Sequence, residues 1–446
     1  MNLKTLLIRT ILVVGTTSLF YPAFSQENTA TEWDLNKCIN YALEHNIQVN
    51  SKKLDVETQK VNLNQSKSDR LPNVSASVSE NFNNSKKITN NTYGAWDPNT
   101  STAFSVSSSL TLFEGNSITN GIKKSMLNLD MANLDVEITQ NSIILSITQA
   151  YLNVLYAKET VDYTNEMVAA SEKEVERTRE LYKAGSASKL DLVQMESQFS
   201  SDKYSLVLAE NELNSKTTDL KQLLEIPVVD TFKVSFPEVT LTESLTMLPS
   251  KTDAYNMALS TRPEIKSSQL SKNIAELNLK IAKAGYYPSL TMSAGLSANY
   301  SSNSIGSFSN QISDGQIQRL GVALNIPIFS KNTNRNSVQL SKISISQAEL
   351  SQQETEKNLL QTVETVYLNA DASVSRYNSA TEQLKSATES YNLSEEQFNL
   401  GMINVVELLK AKTSYLNAKS EFIQSKYAAI LNKKILDFYM GKTITL

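Results

Sequence analysis

The feature that most limits what this chain can become is that it is written twice. From about residue 41 to the end, the sequence recurs at an offset of 216 residues with almost no slippage. Tyr41-Ala42-Leu43 returns as Met257-Ala258-Leu259, Leu71-Pro72 as Tyr287-Pro288, and Thr111-Leu112-Phe113 as Pro327-Ile328-Phe329. Tyr151-Leu152-Asn153 returns as Tyr367-Leu368-Asn369, and Gly185 with Asp191 as Gly401 with Glu407. A constant offset requires that element lengths are kept as well as composition. Solenoid units have periods of about 20–50 residues, so this is no solenoid but one duplicated helix–strand–helix unit.

Each copy reads helix, two alternating strands, a very long helix, a glycine turn and a further helix. The first copy spans 26–227, with helices over 33–70 and 117–226 and strands over about 72–82 and 102–113. The second spans 251–446, with helices over 252–286 and 332–440 and strands over about 288–300 and 318–329. Residues 228–250 between them have no counterpart in either copy. Glycine (12) and proline (9) are sparse, which favours long uninterrupted elements.

Residues 1–25 read as an export signal: Lys4 and Arg9, an apolar stretch from Thr10 to Phe20, then Ala23-Phe24-Ser25 as a small-x-small cleavage site. That apolar stretch is too short to span a bilayer as a helix, and no later segment has about 20 consecutive apolar residues. A helical span is thereby excluded; a β-barrel is not. The lone cysteine, Cys38, cannot form an intramolecular disulfide and reads as a small buried hydrophobe. The one histidine, His45, reads as structural or surface.

The strand segments carry period-two patterning. Val74, Ala76 and Val78 alternate with serines, as do Phe104, Val106, Leu110 and Leu112 with Ser and Thr. In the second copy Leu290, Met292, Ala294, Leu296 and Ala298 alternate with Thr, Ser, Gly and Asn, followed by Leu320, Val322, Leu324, Ile326 and Ile328. The polar face is small and neutral. Between Pro288 and Phe329 only Asp314 and Arg319 are charged, and both are expected in or beside a loop at an aqueous rim. The segments Asn83–Asn99 and Ser301–Gln316 read as long loops. Apolar residues facing lipid and polar ones facing a lumen match an outer-membrane barrel; surface hairpins on a soluble body are the competing account. Four strands cannot close a membrane barrel, and an open sheet leaves unpaired backbone groups in lipid. The membrane reading therefore requires oligomerisation, and three copies supply twelve strands.

Between Asn116 and Ala184 there is no proline, and no glycine after Gly121, so one helix of about 100 Å is expected. A seven-residue beat runs through it (Ile122, Leu129, Val136, Ile143, Ala150, Ala157), the pattern of helices that wrap one another. A plain antiparallel coiled-coil hairpin fits that beat as well. Gly185 and Gly401 end the long helices, and Ser188 and Asn404 can cap the next ones. An acid in the first turn beyond, Asp191 or Glu407, also suits the helix dipole.

With the doubled strand pairs, long helices and the two Leu/Phe-x-x-Gly-x(5)-Asp/Glu-Leu turns in hand, the chain resembles the TolC-like outer-membrane efflux proteins over essentially its whole mature length. The resemblance implies a mixed α and β-barrel fold: a homotrimer with a 12-stranded barrel in outer-membrane lipid, continued by an α-helical tunnel through the periplasm. It implies a passive duct, joined by a periplasmic adaptor protein to an inner-membrane pump of RND or ABC type, serving small-molecule efflux or type I protein secretion. Gly185 with Leu181, and Gly401 with Leu400, then become the tip turns gripped by the adaptor. Asp191, Gln194, Glu407 and Lys410 become entrance residues, and Pro72, Phe113, Pro288 and Phe329 mark the helix–strand junctions. Better-known members carry a second acid at the position of Lys410. Its replacement by a base leads to the expectation that Glu407 and Lys410 of neighbouring chains pair to hold the entrance shut.

An enzyme is disfavoured: one His and one Cys preclude most metal and nucleophile sets, and no phosphate-binding loop is present. No cofactor or metal is expected. A formal charge of −4 gives no reason to expect nucleic acid. A trimeric surface adhesin would gather its strands at one chain end, whereas here they interrupt the chain twice. A soluble periplasmic coiled-coil scaffold is the remaining alternative.

Overall fold

The computed structural model describes residues 32–89, 92–237 and 248–445. The expected export signal, 1–25, lies outside the described residues, as do 238–247 of the segment between the copies. In chain order the elements are α1 (Leu35–His45), α2 (Ile47–Ser68), β1 (Asn73–Thr89), β2 (Thr92–Glu114), α3 (Ser117–Lys183) and α4 (Lys189–Leu223). The second copy supplies α5 (Lys251–Thr261), α6 (Pro263–Ala284), β3 (Ser289–Ser301), α7 (Phe308–Asp314), β4 (Ile317–Asn325), α8 (Thr333–Asn399) and α9 (Val405–Tyr439). Equivalent helices agree to the residue: α1 and α5 have 11, α2 and α6 have 22, α3 and α8 have 67, α4 and α9 have 35.

The helices expected over 33–70 and 252–286 are each broken in two. Asn46, in extended conformation, accepts hydrogen bonds from the N–H groups of Gln48 and Val49, so it caps α2 rather than continuing α1. At the equivalent step Arg262 is extended and Pro263 opens α6, where its missing N–H costs nothing.

The four strands form one antiparallel sheet in the order β1-β2-β3-β4. In the first copy the strands run well past the expected 72–82 and 102–113. The segment Asn83–Asn99, read as a loop, is mostly hairpin, with Asn83 opposite Asn99 and Lys86 opposite Trp96. Once apolar rows lower in the sheet fix the register, each further pair satisfies backbone groups, whatever the loop-like composition. The second loop holds α7, capped by Ser307 and pinned by Phe308 against Phe104 and Tyr300. β4 stops at Asn325 rather than 329 because Pro327 has no N–H for the ladder.

Strand passes to helix through two left-handed residues in each copy: Gly115 and Asn116 (φ 56° and 65°), then Lys331 and Asn332 (φ 50° and 63°). At Gly115 a Cβ would lie 2.8 Å from the Ala284 carbonyl oxygen, so only glycine lets the two copies meet there.

The main core lies where α1, α3, α4, α9 and the inter-copy segment converge. Cys38, Ile147, Tyr151, Leu152, Leu220, Ile423 and Ile430 are its buried members. Burial pushes the Cys38 thiol up to about 12, and the Tyr151 hydroxyl donates to the Ser235 carbonyl at 2.7 Å. Trp33 pairs with Val234 as a short parallel bridge, tying the inter-copy segment to the chain start. His45 stacks on Tyr41 at the surface. Along α3 the heptad seam is fully buried only in part: Ile122, Ile143 and Ala157 are buried, while Leu129, Val136 and Ala150 are half-covered. No described helix is long and apolar enough to cross a membrane.

Candidate functional site

Two places in the molecule carry features that fold alone does not require. The first is the sheet. Directly paired residues share a face, so the register reads out each face row by row. One face shows Leu290 with Leu324; Met292 with Leu110 and Val322; Ala294 with Ser108, Val74 and Leu320; Leu296 with Val106, Ala76 and Gln318; and Ala298 with Phe104 and Val78. Only Ser108 and Gln318 break its apolarity. Val74, Val78, Leu320 and Val322 on it are exposed in the protomer. Ten residues of strand, tilted by about 40°, make a band roughly 25 Å tall, the height of the apolar belt of outer-membrane barrels. Exposed Tyr286, Tyr287, Phe113 and Phe329 cluster at its helical end, as in an aromatic girdle. Pro72 and Pro288 lie at the same level, each one residue before its strand.

The opposite face carries Ser75, Ser77, Ser105, Ser107, Thr291, Ser293 and Gly295. Here one expectation is corrected. Asp314 lies in the loop helix, but Arg319 is not at a rim; it sits in β4 opposite Gly295, midway up the band. Because β4 begins lower than β3 ends, closeness to the loop in sequence is not closeness to the rim in space.

The second place is the pair of turns at the far ends of α3/α4 and α8/α9. Gly185 and Gly401 are left-handed (φ 77° and 73°), with open space where a Cβ would be, so conformation rather than crowding demands glycine. Each turn closes the same way: Ser186 N–H donates to the Leu181 carbonyl at 2.8 Å, and Met402 N–H to that of Gln397 at 2.8 Å. Leu400 is exposed and Leu181 half-buried. The acids beyond differ in role. Asp191 belongs to a reciprocal capping box, accepting from Ser188 N–H at 2.9 Å and from the Ser188 hydroxyl at 2.6 Å. Glu407 is capped through its own N–H by Asn404 at 3.0 Å, which leaves its carboxylate outside the cap. Gln194 is half-buried, whereas Glu407 and Lys410 are exposed with no ion pair between them inside the protomer.

About 16 Å above the turns lies a group that the sequence reading missed. Lys412, 1% exposed, donates to the Ser171 hydroxyl at 2.7 Å and Glu174 Oε2 at 2.9 Å, with Asp202 Oδ2 at 3.6 Å. Ser171 also donates to Asp202 Oδ2, and Gln198 donates to Asp202 Oδ1 at 2.7 Å. The Tyr391 hydroxyl donates to Glu174 Oε1 at 2.8 Å; burial first, then the Glu174 charge, pushes its phenol well above the usual range. These residues come from α3, α4, α8 and α9, so one buried ionic group ties the two hairpins. The signal was present: Lys412 falls on the apolar stripe of Val405, Leu408, Tyr415 and Ile423, where a solvated lysine has no place. Nearer the tip, Arg177 donates to the Asn399 carbonyl at 3.2 Å as an exposed second tie.

A four-stranded sheet with one apolar face, mounted on paired long helical hairpins, defines the class of subunit to which this chain belongs. The profile of the outer membrane efflux protein family matches residues 38–224 and 254–442, and the chain belongs to that family, one of channels rather than enzymes. Membership places it in the outer membrane, with the helical body in the periplasm. The Escherichia coli outer membrane protein TolC is 23% identical over 315 residues, covering 68% of this chain; the chain spans 62% of that relative's length. The crystal structure of CusC superposes with a TM-score of 0.79 at 16% identity, covering 92% of each chain. The Campylobacter jejuni CmeC outer membrane channel gives 0.77 at 20% identity, covering 91% of this chain and 86% of that one.

Proposed function

We propose that the chain is the outer-membrane exit duct of a tripartite efflux pump and acts as a homotrimer. Three four-stranded sheets form a 12-stranded barrel, and the paired hairpins of three chains form a tunnel wall whose tips make one entrance. The carrying observation is the sheet: an apolar face of membrane height, a small polar face behind it, and two free edges, β1 and β4. In lipid each unpaired backbone group costs several kcal/mol, so edges of that length need a partner, and a second copy presents the complementary edge. Transport through such a wall is passive and needs no catalytic residue.

The turns at Gly185 and Gly401, with exposed Leu400 and half-buried Leu181, are the contact for a periplasmic adaptor, through which an inner-membrane pump of RND or ABC type drives cargo. At the entrance, Glu407 and Lys410 of adjacent chains pair and hold the mouth closed. Asp191 serves its own helix cap, so the second copy supplies the charged contacts. The test is planar-bilayer recording of the purified protein. Lys410→Ala is expected to raise the single-channel conductance severalfold; an unchanged conductance sinks the pairing. Extraction of the protein from membranes by urea without detergent would sink the duct itself.

A further inference from the structure

Among the described residues Arg319 is the one base on the polar face of the sheet within the membrane band, and neither the entrance nor the tips use it. Its row runs Arg319, Gly295, Ser107, Ser75, so three small neighbours leave its side chain room to reach away from the sheet. A Cβ built on Gly295 meets only the Val106 carbonyl oxygen, at 3.7 Å. Gly321 lies two residues along the same face of β4. Among the described residues Arg319 has no ion-pair partner, and it is exposed. Its depth fixes which side it faces. An arginine turned to lipid at the midplane costs about 2–4 kcal/mol, so the small polar face is the lumen.

The acids on that face lie elsewhere. Glu114 is at the inner end, opposite Ser289, and lines a crevice at the strand–helix junction together with Arg70. Asp97 is out in the β1–β2 extension, opposite Ser85. Resting on the trimeric reading above, we infer that three Arg319 side chains form a cationic ring halfway along the barrel, and that this ring favours small anionic solutes bearing carboxylate, phosphate or sulfate. Twelve strands about 4.8 Å apart and tilted by about 40° close a barrel of roughly 12 Å radius. A guanidinium reaching inward then lies within about one Debye length of the axis at physiological salt, so an ion on the axis is not screened from it. Rings of arginine or lysine are how pores select anions.

The experiment is the reversal potential of single channels in a KCl gradient, with citrate as the probe of a multivalent organic anion. R319Q is expected to lower the chloride-to-potassium permeability ratio at least threefold, R319E to lower it further, and R319K to keep it. Millimolar citrate on the outer side is expected to reduce current in the natural protein and not in R319Q. Reversal potentials and citrate sensitivity that are the same in the natural protein and R319Q overturn the ring. Should R319E fail to assemble, R319Q and R319K still decide. If the natural protein forms no channels at all, it is the trimeric duct that fails, and that outcome is distinct.

Discussion

The two copies have helices of identical length and bury them differently. Of the 67 residues of α3, 16 are buried in the protomer; of the 67 of α8, six are. Leu152 on α3 is 1% exposed, and its counterpart Leu368 on α8 is 54% exposed. α3 is sandwiched between α2, α4, α6 and α9, with α1 against its middle, whereas α8 packs mainly on α5, α6 and α9, meets α3 near the tip through Tyr391 and Asn399, and leaves Leu340, Leu350 and Leu368 uncovered. Duplication therefore preserved geometry while burial diverged. The first copy forms the framework of the protomer, and the second leaves a face uncovered in it, the face that the trimeric reading assigns to a neighbouring chain. The tips repeat the lesson: Asp191 is spent on its own cap, and Glu407 is not.

Paired substitutions at equivalent positions can break this contrast. The largest effect is expected at Lys412, whose counterpart is Glu196. Lys412→Ala strands Glu174 and Asp202 without their cation and should cost about 3–5 kcal/mol, read from urea unfolding in detergent. Glu196→Ala loses only the exposed bridge to Arg179 and should cost at most about 1 kcal/mol. Comparable losses would mean that the buried group does not hold the hairpins. Next is Leu152→Ala, which opens a cavity in the main core at about 2–5 kcal/mol. Leu368→Ala should leave protomer unfolding unchanged yet lower the temperature at which oligomers dissociate on gels. An unaltered dissociation temperature would end the claim that α8 faces a partner.

The smallest effect shows only in alkali. Tyr391, opposite Val175 in the first copy, holds its proton above the usual phenol value near 10 because of burial and the neighbouring Glu174. A raised folded value gives stability that is complete below pH 10 and lost as pH rises beyond it. Unfolding midpoints should thus fall above about pH 10, and Tyr391→Phe should flatten that fall. An equally steep fall in Tyr391→Phe would move the cause to other tyrosines.

Much of this architecture was legible because the duplication checks itself: a Gly turn or strand parity found in one copy reappears 216 residues on. The apolar face of the sheet was readable from Leu110 and from Leu290 through Ala298, since parity needs no partner to be seen; the bulge after Thr111, which sets Phe113 opposite Leu290, was not. What was hidden depended on partners. The β1–β2 extension has loop composition and is a hairpin only because each strand satisfies the other. The break at Asn46 sits inside continuous helical patterning and shows only in its cap, whereas Pro263 marked the equivalent break and was passed over. Arg319 looked peripheral because sequence gives distance to a loop, not height in a sheet. Lys412 could have been found by treating a lysine on an apolar stripe as an anomaly. Its partners on α3, α4 and α8 could not.

The free edges of β1 and β4 also set terms for how the chain reaches its membrane. A sheet with exposed Val74, Phe82, Leu320 and Val322 is poorly suited to water, and one with two unpaired edges is poorly suited to lipid. The helical body carries its own cores, the sheet does not, so the body can fold while the sheet waits. On the trimeric reading proposed above, arrival in the bilayer is a collective event, steep in protomer concentration, in which no single chain has a finished form of its own.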